Sequence, residues 1–123
     1  MTTRCPKILV VDDENGIGDL LEYGLGSAGF RVTIAADGNS ALEATRQWTP
    51  DAILLDVTLP DVDGFTLFPR LRKLTASPII FVTAKAEAEE RATGMRLGAF
   101  HFVTKPFDLD DLIGCLRAAL RQP

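Results

Sequence analysis

The chain has 123 residues, 46% of them hydrophobic and 24% charged, which suits one globular domain with a single core and excludes a disordered chain. Its formal charge of −4, with basic residues scattered apart from Arg70, Arg72 and Lys73, gives no general reason to bind nucleic acid. No apolar run reaches the length of a membrane span and no signal peptide precedes the first strand. Cys5 and Cys115 lack metal or redox spacing, so two reduced thiols in a cytosolic protein are expected.

In chain order, Lys7 to Val11 (KILVV) is apolar throughout and reads as a strand, running into the carboxylates Asp12, Asp13 and Glu14. A helix follows, with Ile17, Leu20, Leu21, Leu25 and Ala28 on one face. Gly16, Gly18, Gly24 and Gly26 weaken it, so packing must hold it until Gly29 ends it. Arg31 to Ala35 alternates like an edge strand. After the Asp37-Gly38 turn, Asn39 or Ser40 caps a second helix through Gln47, with Ala41, Leu42, Ala44 and Thr45 available for packing, and Pro50 stops it. Ala52 to Asp56 is a strand buried on both faces that ends in a carboxylate, followed by a loop through Pro60, Asp61, Asp63 and Gly64. A third helix is predicted from about Phe65 to Leu74, where Pro69 should kink it or shift its start.

Pro78 to Thr83 is a fourth apolar strand. The helix from Glu87 to Leu97 is weak, with only Ala88, Ala92 and Met95 as an apolar stripe, and is the best candidate for a movable element. Ala99 to Thr104 forms a fifth strand ending at Lys105-Pro106-Phe107. Asp108 caps a last helix with a clean stripe of Leu109, Leu112, Ile113, Leu116 and Leu120, its charges at Asp110, Asp111, Arg117 and Arg121 suiting the dipole. Five strands alternating with five helices imply an α/β fold, three-layer and doubly wound, with a parallel five-stranded sheet of flavodoxin-like order 2-1-3-4-5. No linker or repeat divides residues 1–123.

In such a sheet the C-terminal strand tips share one edge, which collects Asp12, Asp13, Glu14, Asp56, Thr83 and Lys105. Singly, each has an ordinary explanation as a helix cap, a solvated strand end or a surface lysine. Together they do not. Two carboxylates about 4 Å apart repel by roughly 4 kcal/mol at an effective dielectric near 20. Several in one cleft call for a counter-charge, and oxygen donors with water suit Mg²⁺. A hard divalent ion, a lysine and a hydroxyl suit a phosphoryl group, with Asp56 as its acceptor through an acyl phosphate.

These motifs, LVVDDE (Leu9–Glu14), LLDVTLPDVDG (Leu54–Gly64), FVTA (Phe81–Ala84) and KPF (Lys105–Phe107), resemble in order and spacing the receiver domain of two-component response regulators, over nearly the whole chain. The resemblance implies transfer of a phosphoryl group to Asp56 from a sensor histidine kinase or phosphotransfer protein, in a signalling domain rather than a turnover enzyme. It implies Mg²⁺, for which Mn²⁺ could substitute, held by Asp13, Asp56 and the backbone carbonyl of Thr58, with Asp12 acting through water. Thr83 and Lys105 would contact the phosphoryl oxygens. Phe102 falls at the switch-aromatic position, which in the family turns inward when Thr83 is drawn to the phosphate, and it suits a buried packing role as well. Lys105-Pro106 falls where receivers have a cis peptide. The output face would be the fourth helix, fifth strand and fifth helix.

The sequence departs from the pattern of receivers joined to winged-helix domains, which carry an acidic pair before the switch aromatic. Phe100-His101 stands there, and Gly114 and Cys115 occupy the matching part of the last helix. Arg91 and Asp111 remain as one candidate ion pair of a homodimer through that face. His101 reads as a strand-edge residue, and Thr58 and Lys85 lie where the family tunes acyl-phosphate lifetime. A phosphatase of haloacid-dehalogenase type needs an Asp where Thr58 stands, and an FMN binder needs a hydroxyl- and glycine-rich loop where Asp12-Asp13-Glu14 stands. A degenerate receiver used only for docking does not fit the intact Asp13, Asp56, Thr83 and Lys105. A stand-alone regulator and the N-terminal receiver of a longer transcriptional regulator, with an output domain after residue 123, both remain open.

Overall fold

The computed structural model describes residues 5–121; Gln122 and Pro123, which the sequence leaves as either a natural terminus or the start of a linker, lie outside them. The apolar runs form one parallel sheet of β1 (Lys7–Val11), β2 (Arg31–Ala35), β3 (Ala52–Leu55), β4 (Ile79–Thr83) and β5 (His101–Thr104), ordered β2-β1-β3-β4-β5. Between and after them come α1 (Asn15–Ser27), α2 (Gly38–Trp48), α3 (Gly64–Arg72), α4 (Ala88–Leu97) and α5 (Leu109–Leu120). This is the doubly wound flavodoxin-like fold that the alternation implies.

The sheet divides the core in two because successive strand side chains point to opposite faces. Leu9, Val11, Ile53, Leu55, Ile79 and Phe81 pack with Ala41 of α2 and Leu67, Phe68 and Leu71 of α3. Ile8, Val10, Leu54, Ile80 and Val82 pack with Leu21 and Leu25 of α1 and Leu112 and Leu116 of α5. Each such Leu, Ile, Val or Phe stabilises the fold by about 1.5–3 kcal/mol through burial, and this is why the three central strands carry no polar alternation. Edge strand β2 is wetter along its length rather than on alternate residues: Arg31 is exposed, Val32 to Ile34 are half-buried and only Ala35 is buried.

Several local expectations change. Leu20 is 47% exposed, because it lies about 100° round the helix from Leu21; the inner face of α1 is completed by Gly18 and Gly24. A Cβ on Gly24 would stand 2.5 Å from Leu109 Cδ2, so this glycine lets α1 close on α5. The cap of α2 is Asp37, one residue before the helix, which accepts from the Ser40 N–H at 2.7 Å; Asn39 and Ser40 are already helical. α3 starts at Gly64 with Asp63 as its cap and ends at Arg72. It runs through Pro69 without a shifted start. In α4 the stripe of Ala88, Ala92 and Met95 faces solvent, and Gly94 is the buried residue. Large side chains cannot enter there, since a Cβ on Gly94 would already stand 2.9 Å from Phe102 and 3.0 Å from Phe81.

β5 begins at His101, although the Phe100 N–H still donates to the Ile79 carbonyl at 2.8 Å. α5 has the expected cap, with Asp108 accepting from the Asp111 N–H, and buries Leu112, Leu116 and Ala119. The Lys105-Pro106 peptide is cis. Cys5 and Cys115 are free thiols, and among the described residues no helix is long and apolar enough to cross a membrane.

Candidate functional site

The site grows from the register of the two central strands. Val11 pairs with Leu55, so the residues after them, Asp12 and Asp56, leave the sheet side by side. Both backbones are held: the Asp12 N–H donates to the Ala35 carbonyl at 3.0 Å, and the Asp56 N–H to the Val11 carbonyl at 2.9 Å. Asp12 and Asp56 are buried and Asp13 is exposed, yet one carboxylate oxygen from each of the three lies within 4.8 Å of the others. Two Asx-type contacts orient the buried pair. Asp12 Oδ1 accepts from the Glu14 N–H at 2.9 Å, and Asp56 Oδ1 accepts from the Thr58 N–H at 3.1 Å.

Lys105 closes the cluster from β5. Its Nζ lies 2.7 Å from Asp12, 2.7 Å from Glu14 and 2.9 Å from Asp56, so each of its three protons faces a carboxylate. Burial acts to lower the Lys105 pKa, but the hydrogen bonds to Asp12, Glu14 and Asp56 outweigh it and hold the ammonium above the ordinary lysine value. Burial raises the Asp12 carboxyl in spite of its bonds to Lys105 and to the Glu14 N–H. One ammonium against four carboxylates leaves surplus negative charge, the condition that favours a divalent cation on oxygen donors. The trio of Asp12, Asp13 and Asp56 fits Mg²⁺ in both donor type and spacing.

Thr83 ends β4 beside this group and is buried. Its oxygen accepts from the Lys85 N–H at 3.1 Å, which leaves the hydroxyl proton free to donate. The Lys105 N–H donates to the Thr83 carbonyl at 2.9 Å, locking β4 to the lysine loop. A cleft of about 310 Å³ opens here, lined by Asp13, Glu14, Asp56, Thr58, Thr83 and Lys105. Every strand-tip residue singled out from the sequence is thus in one place. Phe102 lies apart in the core, 5% exposed, its ring 5.6 Å from that of Phe81.

Two participants were underweighted in the sequence. Glu14 stands at the strand-tip edge with no role assigned from the sequence, and it binds Lys105 at 2.7 Å. Gly64 had been read as a turn marker, yet a Cβ there would stand 2.3 Å from the Asp56 carbonyl oxygen. The Gly64 N–H donates to the Val57 carbonyl at 2.7 Å, so the loop folds back against the backbone of Asp56 and Val57. No hydropathy pattern reports such an approach; the signal is the position of Gly64, eight residues after Asp56 and opening a helix.

Comparison with known proteins agrees with this geometry. The family description "response regulator receiver domain" matches residues 8–117. Among solved structures, the chain is 35% identical to the non-phosphorylated HemR receiver domain of Leptospira biflexa, covering 96% of both chains with a TM-score of 0.88. It is 32% identical to the BeF3-activated N-terminal receiver domain of Klebsiella pneumoniae RstA, covering 94% of this chain and 99% of that one, at 0.90. A CheY-like receiver domain protein from Methanospirillum hungatei is 30% identical, over 95% and 94%, also at 0.90. Activated and non-phosphorylated receivers thus match this backbone about equally well, and the chain belongs to the response regulator receiver domain family, the phosphorelay signalling domains of two-component systems.

Proposed function

We propose that Asp56 accepts a phosphoryl group from the phosphohistidine of a sensor histidine kinase or phosphotransfer protein. The observation that carries this reading is the Lys105 ammonium 2.9 Å from Asp56, beside a carboxylate trio spaced for a divalent cation. An Asp56 oxygen attacks phosphorus, the P–N bond breaks, and the imidazole leaves with the bonding pair, so that an acyl phosphate forms. Lys105 and the Thr83 hydroxyl donate to the phosphoryl oxygens as charge shifts onto them. Asp13, Asp56 and the Thr58 carbonyl would hold Mg²⁺ or Mn²⁺, with Asp12 acting through water. The bound ion would neutralise the carboxylates and polarise the phosphoryl group.

The receiver extends over residues 1–123 in this reading and assists its own phosphorylation and dephosphorylation without being a turnover enzyme. Phosphorylation shifts the population of Thr83 and Phe102 positions and remodels the face of α4, β5 and α5 for a second copy, an output domain or another partner. A cytoplasmic location follows from a kinase partner of that kind. The test is incubation with acetyl phosphate and Mg²⁺ followed by intact mass. One phosphoryl adduct is expected, absent without Mg²⁺ and absent in Asp56→Asn. Equal labelling of the Asn variant would overturn the assignment.

A further inference from the structure

The sequence placed Arg91 on an outward face as half of an ion pair, but its side chain is turned back onto its own domain. Its Nη2 donates to the Thr104 hydroxyl on β5 and its Nε to the Ala86 carbonyl at 3.2 Å, in the loop three residues after Thr83. Its guanidinium carbon lies 5.6 Å from the centre of the Phe102 ring. One side chain therefore touches the loop beyond Thr83, the strand beyond Phe102, and the aromatic ring itself. Beside the ring, Gly94 supplies the space: α4 has no Cβ at the point where the Phe102 and Phe81 rings meet it. Phe102 is thus enclosed by Phe81 inside, Gly94 at the side and Arg91 on the solvent side.

We infer that Arg91 is a positioning residue for the switch, a latch that holds Phe102 inward and ties the loop after Thr83 to β5. A face-on guanidinium is attracted to an aromatic ring, and a planar fork that also makes two hydrogen bonds has few other orientations open to it. An outward Phe102 has to displace the guanidinium from the ring. The latch thereby sets how much of the inward population exists before any phosphoryl group arrives, and this rests on the receiver reading only for its signalling consequence.

The test uses the full chain with fluorophenylalanine incorporated at its seven Phe positions, the Phe102 ¹⁹F resonance being assigned by its loss in Phe102→Leu. Without phosphodonor, Arg91→Ala should move that resonance toward its solvent-exposed value. The outward-to-inward ratio should rise about tenfold or more, the combined effect of one exposed cation–π contact and two hydrogen bonds. Thr104→Val, which removes only the hydroxyl, should move it part of the way, and thermal melts confirm that both variants are folded. A Phe102 resonance unmoved in both variants overturns the latch. Failure of Asp56 to label with acetyl phosphate overturns the receiver reading instead, and leaves this measurement standing.

Discussion

Gly64 and Lys105 constrain the acidic cleft in opposite ways, one by having no side chain and the other by setting an ammonium against three carboxylates. At Gly64 a methyl group would meet the Asp56 carbonyl oxygen at 2.3 Å and the Val57 Cα at 2.9 Å, and backbone atoms cannot step aside as a rotamer can. Gly64→Ala should destabilise the fold by about 1–3 kcal/mol, the usual penalty for overpacking, and weaken Mg²⁺ binding through displacement of the loop. Denaturant melts and an Mg²⁺ titration read both effects. Lys105→Met should have two effects of opposite sign. Without metal it leaves the buried Asp12 and Asp56 carboxylates without their shared ammonium and lowers Tm. With metal, removal of a competing cation from the site should tighten Mg²⁺ binding even though phosphoryl labelling slows. Weaker Mg²⁺ binding in Lys105→Met would mean that the lysine builds the metal site rather than competing with it.

At the scale of elements, the N-terminus of α2 is held by a carboxylate from a distant loop. Asp61 accepts from the Gly38 N–H at 2.8 Å and the Asn39 N–H at 3.0 Å, two of the donors that a helix start leaves unpaired. The Gly38 bond, followed by that from Asn39, lowers the Asp61 pKa below its ordinary value. A depressed folded pKa means that the stabilisation is present above the unfolded value and is lost as pH falls through the folded one. Asp61→Asn should therefore lower Tm at pH 7, and the gap to the parent chain should close on acidification below about pH 4, the ordinary Asp value. A gap independent of pH would assign the effect to packing. At the far end of the same helix, Trp48 receives Lys7 Nζ on its carbonyl at 2.7 Å, across the sheet from the acidic edge, so its fluorescence should respond weakly to Mg²⁺. Strong quenching would contradict that placement.

The elements also show which sequence signals sufficed. Apolar runs ending in polar residues located β1, β3, β4 and β5, alternation located β2, and the parallel sheet then gathered every strand-tip group, because register carries residues at equivalent strand ends to one edge. The misreadings at α1 and α4 share a cause: a buried glycine adds nothing to a hydrophobic pattern, so the inner faces around Gly24 and Gly94 were hidden, while Leu20, Ala88, Ala92 and Met95 drew the eye to the wrong side. Asp37 was passed over as a cap because a helix start is uncertain by a residue or two. Glycines without a close neighbour behave differently. Gly114 of α5 has nothing within 4 Å of a built Cβ, and Gly114→Ala should stabilise the chain by up to about 1 kcal/mol, measurable as a raised denaturation midpoint.

For the whole molecule, ligand and fold stability are linked through the cleft. Saturating Mg²⁺ at a hundredfold over its dissociation constant should raise stability by about 2.7 kcal/mol, and Asp13→Asn should remove most of that gain. The sheet adds a sidedness of its own. Phe102 touches Phe81, and Phe81 in turn stands 5.3 Å from Phe65 and 5.7 Å from Phe68 of α3, all on one face. The α1 and α5 layer beneath the sheet shares none of these rings. The partition therefore acts like a bulkhead: a disturbance beginning at the Phe102 ring has a relay of aromatic neighbours toward α3 and no counterpart toward α1. If Phe102 turns as proposed, the protein should have a listening side and a quiet side: a probe on Phe65 should hear the switch turn while one on Leu21 stays silent.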